Sequence, residues 1–315
     1  MNEAEFDTML TTMSVAVQNF FRVRLKQGHS LTGNRDGGIA VHYVLAGTMC
    51  LEVAQQKDIL CGPGTLVLLP PGLERTIRPA FDAGSGAGAG EASDEPGLLL
   101  ATGAITARVC GAFGLLDSVS APIAEDLGDS ALIRESCRLM LAEFVEAGYQ
   151  SRVLADALMK VCVVMALRRA FSRGEPDSGL LGTLRDPRLG RAIAAVIGNP
   201  AARHSVASLA GEASMSRSAF AREFTSNLAM TPMAFVVRAR LQQGADLLSG
   251  TRLPVKMIAA NIGFASRSHF SRVFSAAFGA DPSSFRRAGV RKGRIDGARR
   301  NGAVPRHSLF HAGER

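Results

Sequence analysis

The sequence predicts an α+β multidomain chain with a β-rich front, a helical middle and an all-α back. Three observations carry that prediction. Short apolar or alternating runs, bounded by Gly, Pro, Asn and Asp, fill the first 120 or so residues, which is the punctuation of strands and turns. From about Ala121 the apolar period lengthens to that of helices. Within the helical stretch, a segment of about thirty residues occurs twice, some fifty positions apart.

Composition narrows the class. A chain of 315 residues, 47% of them apolar, is long enough to bury two cores. Its net charge of +8 conceals a division: from residue 181 onward there are 21 Lys and Arg against 7 Asp and Glu, whereas residues 1–180 hold 15 against 21. A basic back half that coincides with the repeat points to a polyanionic partner for that half alone. No apolar run reaches the ~18 residues of a membrane span. The start, MNEAEFDTML, lacks the basic-then-apolar layout of a signal peptide. The expected location is therefore cytoplasmic, with no membrane partner. Five cysteines (Cys50, Cys61, Cys110, Cys137, Cys162) include no CxxC pair, so reduced core thiols are expected.

In chain order, VRLKQG near Val23, IAVHYVLAG from Ile39, TMCLEVA from Thr48 and GTLVLLP from Gly64 read as strands of a small sandwich or barrel. Asp82 to Gly97 offers almost nothing apolar and reads as a surface loop, and Leu98 to Val109 resumes the strand pattern. Leu132, Leu139, Met140, Phe144 and Val145 fit one amphipathic helix. Val153, Leu154, Leu158, Val161, Cys162, Met165 and Leu167 fit a second, with Arg168 and Arg169 suited to its C-terminus. The wide apolar face of that second helix suits either packing on the β domain or a subunit interface. Ser172 to Gly179 has the composition of a linker. Asp186-Pro187 then supplies an N-cap and first-turn proline, and Leu189, Ile193, Val196 and Ile197 form the stripe of a short helix closed by Gly198.

The repeat follows. Arg217, Ser218, Phe220, Arg222, Phe224, Pro232 and Phe235 recur fifty positions later as Arg267, Ser268, Phe270, Arg272, Phe274, Pro282 and Phe285. The leading helices match at forty-nine, Val206 with Val255, Leu209 with Ile258 and Ala210 with Ala259, so the second copy carries one extra residue in its turn. In that copy Pro254 stands in the first turn, Gly263 breaks the helix, and Ser266 caps the next, whose Phe270, Phe274 and Phe278 fill one face. A helix, a tight turn, and a helix with an aromatic back and a small-polar-plus-arginine front form the helix-turn-helix pattern. Thr231-Pro232 and Asp281-Pro282 each open a further helix. In the long helix between the copies, Leu241, Ala245 and Leu248, with Val237 above them, are placed to pack against both motifs.

The outward faces read directly: Ser218, Ala221, Arg222 and Thr225 in the first copy, and Ser268, Ser271, Arg272 and Ser275 in the second, with Arg217 and Arg267 as further candidate DNA contacts. Arg222 and Arg272 are the expected base readers, since a guanidinium bonds guanine O6 and N7 together. Arg217 and Arg267 flank the buried face and suit phosphates, and Ser218 and Ser268 suit either a base edge or a phosphate.

SVASLAGEASMSRSAFAREF, RARLQQGADLL and IAANIGFASRSHFSRVFSAAFGADPSSFRR, within residues 186–288, resemble the AraC/XylS family of bacterial transcription regulators. Upstream, VHYVLAGTMCLEV with GPGTLVLLPPG looks like the cupin sensor domain of one branch, and LRDPRLGRAIAAVIGNPA is similar to that branch's lead-in helix. Composition, periodicity and the resemblance together divide the chain into four regions. They are a cupin-like barrel over 1–120, a helical linker with a possible dimerisation role over 121–182, a DNA-binding domain over 183–288 and a basic disordered tail over 289–315. The resemblance also implies a cytoplasmic regulator, commonly a homodimer, that binds double-stranded promoter DNA, answers to a small-molecule effector, and has RNA polymerase as a further partner. Where the family often begins the first turn with glycine, this chain has Ser214. His42, Tyr43, Glu74 and Arg75 are the candidate effector-binding residues.

Two alternatives stand beside this reading. A metal-dependent cupin enzyme with a DNA-binding tail needs a histidine cluster with a glutamate, yet the β region has only His29 and His42. A redox-sensing regulator would use Cys50, Cys61 or Cys110. No catalytic residue, metal ligand set or cofactor is assigned.

Overall fold

The computed structural model describes residues 3–33, 38–54, 56–80, 97–117, 119, 121–146, 152–173 and 179–288. The expected loop at 82–96, the core of the expected linker at 174–178 and the expected tail at 289–315 lie outside them. The chain divides into two compact units, one holding Ser14–Ala107 and Leu115–Gly182, the other holding the described residues up to Met13, Arg108–Gly114 and those from Thr183 onward.

The β-rich unit contains two sheets. One has the order β1-β8-β3-β6-β10, built from β1 (Met13–Lys26), β8 (Gly97–Val109), β3 (Ile39–Ala46), β6 (Thr65–Leu69) and β10 (Ile123–Asp126). The other has the order β2-β7-β4-β5, from β2 (Leu31–Gly33), β7 (Arg75–Pro79), β4 (Met49–Val53) and β5 (Ile59–Cys61). Both sheets feed one core: Ala40, Val44, Val67, Leu69, Leu98 and Leu100 from the first meet Met49, Leu51, Val53, Cys61 and Ile77 from the second. Alternate positions on β3 and β6 face this shared interior, as the two-residue strand period requires. This is the cupin-like arrangement.

The other face of the larger sheet is buried too, since β3 from Ile39 to Val44 and all of β6 have no exposed residue. Helices α2 (Ala131–Glu146) and α3 (Arg152–Ser172) pack on each other, and α3 packs on β10. Arg169 holds the Asp129 carboxylate at 2.6 Å, and Arg173 reaches the fully buried Glu125 of β10 at 2.5 Å. The C-terminal end of α3 is thus pinned to the strand by cations placed where the helix dipole favours them. Asp156 accepts from the Val17 N–H at 2.7 Å, tying the helix to β1 as well. Of the two readings of α3, packing on the β domain is met by its inner face, which carries Ala155, Met159, Cys162, Val163, Ala166, Leu167 and Ala170.

The second unit is helical, with a short β hairpin. Helix α1 (Glu3–Thr11) packs on α5 (Pro187–Gly198) and buries Phe6, Met9 and Leu10. Asp186 caps α5 by accepting from the Arg188 N–H at 2.8 Å, and Pro187 occupies the first turn. Gly198 is the last helical residue, with Asn199 as the cap beyond it. Helix α4 (Gly179–Arg185) precedes it. The tip of β8 pairs with β9 (Phe113–Gly114), and Phe113 lies flat on Phe235 with centroids 4.0 Å apart and planes 11° from parallel. Arg238 also sits over that ring, 5.1 Å from its centroid. Two segments remote in sequence, α1 and the hairpin tip, therefore complete the core of the helical unit.

Candidate nucleic-acid interface

Each copy of the repeat folds as helix, turn, helix. In the first, α6 (Val206–Glu212) opens with a capping box in which Ser205 Oγ accepts from the Ser208 N–H and Ser208 Oγ accepts from the Ser205 N–H. Four residues lead to α7 (Arg217–Leu228), capped by Ser216, whose hydroxyl accepts from the Ala219 N–H. In the second, five residues separate α9 (Val255–Asn261) from α10 (Arg267–Phe278), so the extra turn residue is present. Ser266 caps α10 by accepting from the His269 N–H at 3.2 Å. Pro254 is the N-cap of α9 rather than its first-turn residue; its backbone is still extended, and its carbonyl is the first acceptor, taking the Ile258 N–H.

The left-handed turn positions separate the copies. Gly263 has φ +82, and an added Cβ would lie 2.7 Å from the Ala201 carbonyl oxygen. The equivalent Ser214, forty-nine positions earlier, is held at φ 53 with a side chain present. The same contrast recurs at the ends of the recognition helices, where Gly279 (φ 68) in the second copy corresponds to Ala229 (φ 52) in the first. Non-glycine residues in this region cost roughly 1–2 kcal/mol each, so the first motif is the more strained.

The backs of α7 and α10 are fully buried through Phe220, Phe224, Phe270 and Phe274. Phe224 meets Phe235 edge-on at 5.6 Å, and Phe274 meets Phe285 likewise at 5.3 Å. Phe235 belongs to the connecting helix α8 (Pro232–Gly250), capped by Thr231, and Phe285 to the helical residues 282–288, whose N-terminal N–H groups Asp281 accepts. Along α8 the packing is divided. Leu241, Ala245 and Leu248 share a core with Ile258, Ile262, Phe264, Phe270 and Phe274 of the second motif, with Val237 against it, while Phe235 serves the first. The nineteen residues of α8 span about 28 Å, too far for one trio of side chains to serve both motifs.

On the fronts, Ser218, Arg222, Ser268 and Arg272 are exposed, and Ala221, Thr225, Ser271 and Ser275 are half-buried beside them; Arg217 and Arg267, at the helix starts, are exposed as well. Thr225 donates its hydroxyl to the Ala221 carbonyl at 2.7 Å, so outward it offers lone pairs. Among the described residues, Arg217, Arg222, Arg267 and Arg272 carry no hydrogen bond or ion pair. Next to Arg222, Glu223 is paired with Arg188 at 3.2 Å, and Arg188 also holds Asp186, whose carboxyl it keeps below its usual range. The carboxylate beside Arg222 is thereby turned to Arg188 rather than to Arg222.

Three arginines that do bind were not singled out from sequence. Arg191 on α5 donates to the Glu212 carbonyl at 2.8 Å and to Ser214 Oγ at 3.4 Å. Arg240 on α8 donates to the carbonyls of Pro200, Ala202 and Gly263 at 2.8, 2.6 and 3.0 Å. Arg286 donates to the Leu253 carbonyl at 2.5 Å. Arg191 and Arg240 stand forty-nine apart, the offset of the leading helices, and that spacing was the available signal.

The four candidate effector residues do not converge on one wall. His42 lies on the interior face of β3 with Ala40 and Val44, its Nδ1 2.8 Å from the Thr102 hydroxyl. Tyr43 points the opposite way, as neighbouring strand residues must; burial raises its phenol pKa, with Cys137 and Cys162 of α2 and α3 among the groups it senses. Glu74 and Arg75 stand at the start of β7, between β2 and β4 in the smaller sheet, and line a surface cleft of about 560 Å³ with Thr32, Gly33, Glu52, Val53, Ala54 and Thr76.

Cys50, Glu52 and Asp58 offer ligand atoms within 4.8 Å of one another. Arg78 bonds both Glu52 and Asp58, so a guanidinium already stands where a metal cation would. Burial raises the thiol pKa values of Cys50, Cys61 (to about 11) and Cys110, which disfavours the reactive thiolate at all three redox candidates.

Comparison with known proteins agrees with this architecture. The cupin family matches residues 6–172, more than half the chain, and a helix-turn-helix domain family matches 209–288. An uncharacterized HTH-type transcriptional regulator of Haemophilus influenzae is 32% identical over 151 residues, 48% of this chain and 51% of the relative. The HTH-type transcriptional regulator MtrA of Neisseria gonorrhoeae is 35% identical over 142 residues, 44% and 47% of the two chains. The RCS-specific HTH-type transcriptional activator RclR of Escherichia coli is 32% identical over 154 residues, 49% and 54%. The match thus spans about half the length of these curated relatives. No described helix is long and apolar enough to cross a membrane. With a cupin front and a duplicated helix-turn-helix back, the chain belongs to the AraC/XylS family of transcriptional regulators.

Proposed function

We propose that the protein is a sequence-specific DNA-binding transcription regulator whose cupin half answers to a small molecule. The observation that carries this reading is the pair of matched faces. Twice, fifty residues apart, a serine-capped helix buries two phenylalanines and carries two exposed, unpaired arginines, one on the opposite face (Arg222, Arg272) and one at the helix start beside the buried face (Arg217, Arg267). An arginine without a partner in the folded protein keeps its donors for an outside acceptor. Arg222 and Arg272 read base edges, each contributing about 1–3 kcal/mol of discrimination. Arg217 and Arg267 hold phosphates, and the two helices enter successive major-groove faces about 34 Å apart. Promoter DNA is the substrate class, the cytoplasm the place of action, and RNA polymerase the downstream partner.

The effector reading is supported by the cleft lined by Glu52, Glu74 and Arg75, which presents two carboxylates and one guanidinium to a polar molecule. A homodimer is supported by the outer face of α3, where Leu154 is exposed and Leu158, Val161 and Met165 are half-buried at helical spacing.

The full chain, mixed with a pool of random duplexes, should enrich one sequence family, with affinity falling linearly in logarithmic terms as salt rises. Recovery of an unenriched pool, or binding indifferent to salt, would refute a sequence-specific reader.

A further inference from the structure

Arg191 and Arg240 are equivalent residues of the two repeats, yet they do different things. Each donates to the turn of its own helix-turn-helix, twenty-three residues on: Arg191 to Ser214 Oγ, Arg240 to the Gly263 carbonyl. Arg191's other bond, to the Glu212 carbonyl, is on that same motif. Arg240 instead extends its remaining donors to the Pro200 and Ala202 carbonyls. Those belong to the loop between α5 and α6, the segment that launches the first motif.

One guanidinium therefore joins three pieces of chain: the connecting helix, the turn of the second motif and the lead-in of the first. The site is closely built. Gly263 has no Cβ, and one placed there would sit 3.0 Å from Arg240 Cζ and 2.7 Å from the Ala201 carbonyl oxygen. The loop is itself braced, since Ala202 N–H donates to the Asn199 carbonyl and His204 contacts that same oxygen at 2.8 Å. Burial lowers the Arg240 guanidinium pKa, but an arginine keeps its charge in a folded protein, and charge-assisted bonds to carbonyls are the stronger kind. Lysine, with a single point of charge, does not reproduce a planar fork that reaches three carbonyls.

We infer that Arg240 is a positioning residue that fixes the separation of the two recognition helices, and so sets which spacing of DNA half-elements the protein accepts. It touches no DNA itself. This rests on the two-motif DNA reading above. Without the clamp, each motif keeps its own core and its own arginines, and α8 still joins them, but the three hydrogen bonds that tie the lead-in of the first motif to the turn of the second through Arg240 are gone.

The test uses the full chain and the duplex selected from a random pool by the unaltered protein, rebuilt as a set with one, two or three base pairs added or removed between its two half-elements. The unaltered protein should bind one spacer best. Arg240→Gln should lose about tenfold of that preference, retaining affinity for the altered spacers and for random DNA. Arg191→Gln, which breaks bonds between α5 and the first motif and none to the second, should keep the preferred spacer. Arg240→Lys serves if the glutamine variant does not fold, and should relax spacing in the same way. Full spacing preference in a folded Arg240 variant, or equal relaxation by Arg191→Gln, overturns the assignment and leaves the DNA reading intact. Failure of the unaltered protein to prefer any duplex overturns both.

Discussion

Replacing Phe113 by alanine tests whether the hairpin tip is part of the helical unit's core or an ornament on it. The ring is 5% exposed, stacked at 4.0 Å on Phe235 and covered by Arg238 at 5.1 Å. Phe235 in turn holds Phe224 on the back of the first recognition helix. Truncating a buried phenylalanine costs about 3–5 kcal/mol, a large part of the roughly 5–15 kcal/mol that stabilises a domain. Phe113→Leu keeps apolar volume but loses the stack and the cation–π contact, and should cost about 1–2 kcal/mol. The chain has no Trp, so urea unfolding is best followed by far-ultraviolet circular dichroism. With a slope of about 2 kcal/mol per molar urea, the alanine variant should unfold some 2 M earlier, and the leucine variant less than 1 M earlier. Midpoints of both variants matching that of the unaltered protein would refute the placement of the hairpin in that core.

Ala229→Gly and Ser214→Gly relieve left-handed residues that the second copy fills with glycine. Relief of roughly 1–2 kcal/mol, less the unfolded-state entropy glycine adds, should leave a gain of about 0.5–1 kcal/mol at Ala229. Ser214 should gain less, because it also accepts from Arg191. Thermal melts check both, and a lowered midpoint for Ala229→Gly contradicts the strain argument. For the thiols, Cys61 with a pKa of about 11 holds about one thiolate in a thousand at pH 8. Native protein should therefore label slowly at Cys50, Cys61 and Cys110, and urea should release fast reaction. Fast labelling of any of the three in the folded state would restore the redox reading.

Much of the back half was legible because its signals are local. Caps at Asp186, Ser266 and Thr231, the break at Gly263 and the four-residue spacing of phenylalanines each act within one or two turns of chain. The front-half strands showed in their alternation, although β1 runs from Met13 and its first half went unread. What stayed hidden is non-local. Nothing in MNEAEFDTML says that α1 packs on a helix nearly two hundred residues away, and nothing in the β8–β9 turn names Phe235 as the partner of Phe113. Arg240 showed only its forty-nine-residue offset from Arg191, because its partners are backbone carbonyls, which every residue carries. The grouping of His42 with Tyr43 was avoidable, since adjacent strand positions face opposite sides of a sheet.

The central claim is a division of labour on two equivalent helices, and one comparison reaches it most directly. Equilibrium binding of Arg272→Ala and Arg267→Ala should be measured on the selected duplex and on random DNA at one salt concentration. Arg272→Ala should weaken the selected duplex by about 1–3 kcal/mol more than random DNA, whereas Arg267→Ala should weaken both alike. Equal losses from the two substitutions on both DNAs would contradict the account.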